Sequence, residues 1–331
     1  MPNTQTRAFV TGASGFVGAH LVFALLQKNY FVTALVRSKN NLSAFYALSV
    51  LYPGADTSQI SWIEGDVLEP ETWMEQFENI VVVFHAAAVL SFSPKDKQTM
   101  METNVQGTAN VVNACLKYHC KPLVYVSSVA ALGRAEGQTE VTENTTWKDS
   151  GHNTHYAISK HLAEQEVWRG KEEGLPVVVV CPGIVIGSWA KPIGSGKIPA
   201  LVKKKLPFYP IGENGFVGVR DLAAMMIVLY ESPCYGQRFL CVAENTSYKN
   251  VLTWFAAGFG VPPPRIGIKG LLLRFFLVTA RLFEWLHLPF PFPSQGLKST
   301  SLKTHYTSVR KQLLSGFEYT TLKKSIDEIV A

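Results

Sequence analysis

Two nearly unbroken apolar runs, IVVVFHAAA at residues 80–88 and LPVVVVC at residues 175–181, constrain the fold of this 331-residue chain more than any other feature. A strand with one face in water alternates polar and apolar residues. A parallel strand covered by helices on both faces has no such need and reads as a continuous apolar run. Shorter strand-like segments lie at residues 8–11, 31–36, 60–64 and 122–127. Helical patterns fall between them at 15–28, with Leu21, Leu25 and Leu26 on one face, at 104–118, and at 156–173, where Gly174 ends the run. Strand and helix alternating in this way predict an α/β chain with a Rossmann-type, doubly wound parallel sheet. After Pro182 the rhythm breaks: Gly and Pro become frequent as far as Gly212, then a helix at 218–230 and a strand at 238–242 precede a helical, loop-rich remainder. The expected division is a sheet domain of residues 1–180 and 216–243, with a smaller, mostly C-terminal, α-rich lobe of 181–215 and 244–331.

Composition narrows the partners. The net charge is +6, spread along the chain without a basic stripe or a recognisable reading module, so no nucleic-acid partner is expected. The five cysteines are scattered without a CxxC pair, which favours a reducing compartment; with no signal-peptide pattern at the N-terminus, a cytoplasmic location is expected. Cys115, His119 and Cys120 share a predicted helix and read as small buried groups, so no metal site is expected. Residues 271–288 (LLLRFFLVTARLFEWLHL) are too interrupted by Arg274, Arg281 and Glu284 to span a membrane. They read as a helix packed into the second lobe or roofing an apolar pocket. The alternative is a peripheral membrane contact, aided by Lys269, Phe290 and Phe292.

The first strand runs directly into TGASGFVG, with Gly12, Gly15 and Gly18 at three-residue spacing. A turn free of Cβ atoms lets backbone approach a pyrophosphate, and the helix that follows turns its N-terminal N–H groups and positive dipole end toward the phosphates. Gly18 then permits close packing of helix on sheet. The second strand ends ALVRSK, which places Arg37 where the cofactor's 2′ position is read, with Lys39 close by and no acid at that spot. This pattern favours NADPH over NADH.

Tyr156 and Lys160 stand four apart on a predicted helix and so share a face. A phenol beside an ammonium has its pKa drawn down and can pass a proton to a carbonyl oxygen. Ser128, at the end of a strand, supplies a hydroxyl to polarise that oxygen. The spacing alone is not specific, because Tyr319 and Lys323 share it without any such context. His85, in an apolar strand end, reads as a hydrogen-bonded core or cofactor-lining imidazole, and His155 points off a different helix face from Tyr156.

Seven motifs occur in one order: TGASGFVG, GDV at 65–67, HAAA at 85–88, NVQGT at 104–108, YVSSVAALG at 125–133, YAISKHLAE at 156–164 and VRDLA at 219–223. In this the chain resembles the extended short-chain dehydrogenases/reductases of the epimerase/dehydratase superfamily. Its pattern is most similar to dihydroflavonol reductases, cinnamoyl-CoA reductases and 3β-hydroxysteroid dehydrogenase-like proteins. The resemblance implies Gly12, Gly15, Phe16 and Val17 at the pyrophosphate, Asp66 and Val67 at the adenine, Ala86 and Ala87 along the cofactor, and Pro182 and Gly183 near the nicotinamide. It also implies a catalytic set of Ser128, Tyr156 and Lys160, with Asn104 supporting the active-site helix. The dehydratases' Asp-Glu pair is replaced by Val129-Ala130, which argues against elimination chemistry. Cys181-Pro182-Gly183-Ile184 is closer to the reductases than to the sugar epimerases.

The expected function is NADPH-dependent reduction of a carbonyl group to an alcohol. Trp254, Phe255, Phe275, Phe276 and Trp285 in the second lobe suggest a fairly apolar small-molecule substrate. A sugar-nucleotide epimerase and a non-catalytic dinucleotide sensor are the alternatives, and either a monomer or a homodimer fits the chain.

Overall fold

The computed structural model describes residues 5–330 apart from 120–121, 136, 189–193, 233, 287, 289–292 and 315. Its centre is a sheet of seven strands. Strand β1 (Arg7–Thr11) leads through helix α1 (Phe16–Gln27) to β2 (Phe31–Val36), β3 (Ile60–Glu64) and β4 (Val82–His85). Helix α2 (Gly107–Lys117), β5 (Leu123–Val126), helix α3 (His155–Glu172) and β6 (Val177–Pro182) follow. After β7 (Ile184–Ile186), helix α4 (Lys197–Lys203) and β8 (Glu213–Gly218), helix α5 (Val219–Glu231) delivers β9 (Gln237–Cys241) to the edge of the sheet. The spatial order is β9-β6-β5-β4-β1-β2-β3, and every pairing is parallel. The chain changes its direction of winding between β1 and β4, and the C-terminal ends of those strands open a crevice.

The apolar runs are apolar because both sheet faces are roofed. In β6, Val178 and Val180 point into the core shared with α1 and α5, while Val177, Val179 and Cys181 point into the core beneath α2 and α3. All five are fully buried. The helix expected at 104–118 starts earlier: a turn at Lys97–Met101 runs through a π-helical segment, Glu102–Gln106, into α2. Such a bulge turns side chains out of ordinary helical register and recurs at functional sites. Here it contains Asn104.

Beside the main sheet, β8 pairs with β7 and with β10 (Glu244–Ser247) in a three-stranded sheet, and α6 (Tyr248–Gly258) packs its Val251 and Phe255 against it. Helices α7 (Gly270–Trp285) and α8 (Ser294–Thr300) form a further small apolar cluster with Phe208 and Ile268. Cys115 is buried, and Cys120 lies outside the described residues.

Candidate active site

One cavity of about 1140 Å³ runs along the C-terminal ends of the sheet strands and continues between the sheet and the second lobe. It exceeds the roughly 300–1,000 Å³ of an ordinary small-molecule pocket, leaving room for a cofactor and a second molecule. Gly12, Arg37, Asp66, Ala86, Ser128 and Pro182, each just beyond or at the end of a different strand, all line it.

At the glycine turn, Gly12 has φ +65°, and a Cβ there would lie 2.7 Å from the Ala87 backbone. A Cβ on Gly18 would lie 2.1 Å from the Gly12 carbonyl oxygen, so this glycine is required by the turn itself. Gly15 donates its N–H to that same oxygen at 2.8 Å and caps α1 without any side-chain cap. Gly15, Phe16, Val17 and Gly18 line the cavity, which therefore meets an uncapped helix N-terminus of the kind that receives phosphate. The residues present fit a dinucleotide.

Arg37 is exposed at the cavity rim, next to Ser38, which also lines it. Lys39 stands outside the lining: its side chain is exposed, and its backbone N–H donates to Glu64 Oε2 at 3.1 Å. Asp66 Oδ1 accepts the Leu68 N–H at 3.0 Å, and Val67 is buried beside it. Ala87, Val67 and Gly183 line the same cavity.

Asn104 does not reach the cavity but ties its walls together. Its Oδ1 accepts the Val89 N–H at 2.7 Å, and its Nδ2 donates to Val89 O at 3.0 Å and to Ser159 Oγ on α3 at 2.9 Å. His85 extends this connection. Thr108 Oγ1 donates to Asn104 O at 2.6 Å, so it accepts from His85 Nε2 at 2.9 Å; His85 Nδ1 then accepts from Thr11 Oγ1 at 2.6 Å, which in turn accepts the Ala87 N–H at 3.2 Å. Burial, with Lys160 nearby, pushes the imidazole pKa down to about 3, so the ring is neutral and, with Nε2 donating, Nδ1 is the acceptor. On α1, His20 is likewise buried and lowered to about 4; its Nε2–H donates to Ser188 O.

These two histidines predict acid sensitivity. Their folded pKa values lie below the unfolded value near 6.5, so below that pH the unfolded chain takes up protons that the folded chain refuses. Stability is full above pH ~6.5 and falls by up to roughly 1.4 kcal/mol per pH unit for each histidine as the pH drops further. Thermal unfolding scanned from neutral to about pH 5, above the range where most carboxylates titrate, should show a falling midpoint; a flat one would refute the assignment.

At the centre, α3 starts at Thr154, whose side chain accepts the Ala157 N–H at 3.1 Å, and this cap sets the helix so that Tyr156 and Lys160 share a face. Ser128 lies in extended backbone at φ −163° and accepts the Ala130 N–H at 3.1 Å. Its hydroxyl lies beside the Tyr156 phenol and opposes the rise in that group's pKa. Lys160 Nζ donates to Val126 O at 2.6 Å and lies 4.4 Å from the centre of the Tyr125 ring. Burial lowers the Lys160 pKa to about 7, with Glu164 opposing the shift.

One expectation needs correction here. Burial raises the Tyr156 phenol to about 12, and the opposing influence comes from Ser128, not from Lys160. Burial lowers Lys160 itself to about 7, so it has lost its charge before the phenol ionises and cannot hold the phenolate down. A phenol held this high is fully protonated at neutral pH. His155 is engaged with Gln295 at 3.1 Å, away from the phenol. The other Tyr–Lys pair makes no site: Tyr319 hydrogen-bonds Leu240 O and Lys323 is exposed.

Beneath this set lies a residue that the sequence reading passed over. Glu164, one helical turn beyond Lys160, is fully buried. It accepts from Ser127 Oγ at 2.6 Å, Trp168 Nε1 at 3.0 Å and Arg238 Nε at 2.6 Å, and from a second Arg238 nitrogen as well. The available signal was a carboxylate on the same helix face as Ala157, Lys160, Ala163 and Val167.

The second-lobe wall of the cavity is largely apolar, with Lys197, Asn214, Ser299 and Thr300 also in it, but not through the aromatics expected. Leu206, Phe208, Leu252 and Leu297 line it, and Leu90 and Phe92 line the cavity from the sheet domain. Phe255 is sealed in the core of the second lobe, Trp254 and Phe276 pack elsewhere in that lobe, and Phe275 and Trp285 face solvent.

This convergence of a glycine turn, a Ser–Tyr–Lys set and an apolar chamber on one crevice defines a nucleotide-dependent enzyme of the extended short-chain dehydrogenase/reductase type. Residues 8–238 match the NAD dependent epimerase/dehydratase family, and the chain belongs to it. Among its relatives are dihydroflavonol 4-reductase of Arabidopsis thaliana, 31% identical over 264 residues (75% of this chain, 68% of the relative), and cinnamoyl-CoA reductase 1 of Petunia hybrida, 28% identical over 318 residues (85% and 93%). Among solved structures, yeast methylglyoxal/isovaleraldehyde reductase Gre2 complexed with NADPH superposes with a TM-score of 0.75 at 21% identity, covering 98% of this chain and 97% of that one. That likeness shows the fold.

Proposed function

We propose that the chain reduces a carbonyl group of a fairly apolar small molecule to an alcohol, with NADPH as cofactor and Tyr156 as proton donor. The observation that carries this reading is the position of the Ser128 and Tyr156 hydroxyls, between the glycine-turn end and the apolar end of one cavity. The sheet domain, residues 1–180 and 216–243, would hold the cofactor, and the lobe of 181–215 and 244–331 the substrate. Gly12, Gly15, Phe16, Val17 and Gly18 would receive the pyrophosphate, Asp66 and Val67 the adenosine, and Ala86, Ala87, Pro182 and Gly183 the inner half. A bound nicotinamide dinucleotide supplies the hydride. Ser128 orients the substrate's carbonyl oxygen, Tyr156 delivers a proton to it, and Lys160 holds the ribose. The largely apolar second-lobe wall favours this reading over a sugar-nucleotide epimerase, whose substrate is densely polar. A screen of apolar ketones and aldehydes following NADPH absorbance tests it, with UDP-glucose and NAD incubated in parallel and the 4-epimer assayed directly, because epimerisation consumes no reduced cofactor. Turnover of the sugar nucleotide alone would overturn it.

Cofactor preference rests on Arg37. At the rim it can pair with a 2′-phosphate, a charge-assisted contact. Arg37→Asp should therefore weaken NADPH binding by about 10–100-fold and leave NADH equal or favoured. Fluorescence titration of both nucleotides against both proteins measures this, and an unchanged preference would remove Arg37 from the site.

A further inference from the structure

Helix α7 is apolar on two opposite faces. Its inner face, Leu273, Phe276, Leu277 and Ala280, packs on Phe208, Ile268 and Leu297. Its outer face carries Leu271, Phe275, Val278, Leu282 and Trp285, spaced 4, 3, 4 and 3 residues apart, which aligns them in one stripe along the helix. Leu271 is 82% exposed and Trp285 75%, and the three between them are also exposed. A helix apolar all round is ordinarily covered all round. Arg274 and Arg281 are exposed along one flank of the stripe. Glu284 does not offset them outward, because its carboxylate accepts from the N–H and hydroxyl of Ser294 at 2.8 and 2.9 Å. Across residues 261–300 the only acid is Glu284, against Arg265, Lys269, Arg274, Arg281 and Lys298, all exposed.

We propose that α7 seats the protein on an anionic lipid surface, lying in the plane of the headgroups with its outer stripe among the acyl chains. Among the described residues no helix is long and apolar enough to cross a membrane, and the 16 residues of α7 fall short of the roughly 20 needed to span one. A stripe of Leu, Phe, Val and Trp with arginines at its edge is the pattern of a helix that lies in the interface. Charge decides against a second copy of the chain as the occupant. An isologous contact sets a patch against itself, and this stripe is flanked by Arg274 and Arg281 with its one nearby acid, Glu284, turned to Ser294. Phe290 and Phe292 lie outside the described residues. Ile268 and Leu297, which touch the inner face of α7, also line the apolar end of the cavity. An apolar substrate could thus pass from the bilayer to the site around a single helix. That last point rests on the reductase reading; the seating does not, and it is tested without turnover.

The experiment is cosedimentation of the full chain with phosphatidylcholine vesicles, with and without phosphatidylglycerol. The native chain should bind the mixed vesicles, and more weakly as salt is raised. Phe275→Glu/Trp285→Glu should lower the partition coefficient by more than about 100-fold. Arg274→Glu/Arg281→Glu should lower it by roughly 30-fold or more, on the anionic vesicles only. Both pairs are exposed, so thermal midpoints should be unchanged, which separates lost seating from lost fold. Failure of the native chain to bind either vesicle would overturn the proposal. So would vesicle binding unaffected by Phe275→Glu/Trp285→Glu, or a solution dimer in sedimentation equilibrium that this variant splits while vesicles are ignored.

Discussion

Tyr156→Phe should reduce turnover by at least about 100-fold, and by up to ~10⁴-fold, while NADPH binding is retained. The phenol is raised to about 12 by burial, so at neutral pH it carries the proton that a reduced carbonyl oxygen requires. Ser128, beside it, remains in the variant and keeps its bond from the Ala130 N–H. The ring persists, so the packing of α3 is preserved. No other group within the set can take over the proton: Lys160 is committed to Val126 O and His155 to Gln295. The measurement is single-turnover reduction of whichever carbonyl compound the screen identifies, alongside NADPH titration of both proteins. Turnover within a few-fold of native would remove Tyr156 from the proton-delivery step. Loss of nucleotide binding in parallel would instead make it a binding residue.

The parts of this site legible in the sequence are those fixed by local backbone demands. Gly12 and Gly18 could be placed because one needs a positive φ and the other abuts a carbonyl oxygen, requirements that only glycine meets within an eight-residue turn. Strand β6 could be placed because roofing on both faces leaves an unbroken apolar signature. What escaped depends on contacts distant in the chain. Glu164 reads as one more solvated helix charge until Arg238, 74 residues on, arrives from the edge strand. Asn104 could be singled out, but its partner Val89 and the π-helical turn that aims it could not. The electrostatics of Tyr156 were misjudged because helical spacing fixes which residues are neighbours, not how deeply they are buried, and burial leaves Lys160 uncharged before the phenol ionises. The aromatics of the second lobe could be counted but not placed, since composition records how many large side chains a lobe holds but not which of its surfaces they cover.

The Glu164–Arg238 pair carries the largest expected effect on stability. Glu164 has no exposed surface, and Arg238 is 17% exposed. Arg238→Met keeps much of the side-chain volume but leaves a carboxylate in the core with only Ser127, Trp168 and the Cys181 thiol for company. Stranding one member of a buried ion pair costs about 3–5 kcal/mol, well above what removing both members costs. For a chain of this length that corresponds to a fall of roughly 4–7 °C in the thermal midpoint. The effect should reach the site as well. Glu164 is one helical turn from Lys160, so an uncompensated negative charge there draws the ammonium away from Val126. Turnover measured well below the melting range should therefore fall too. Arg238→Met combined with Glu164→Gln removes the stranded charge while keeping a partner for Ser127, and it should recover most of the lost stability. If the single variant melts with the native protein, the pair is not carrying a buried charge. If the double variant is no better than the single, the loss comes from the packing of Arg238 on Trp168 and not from electrostatics.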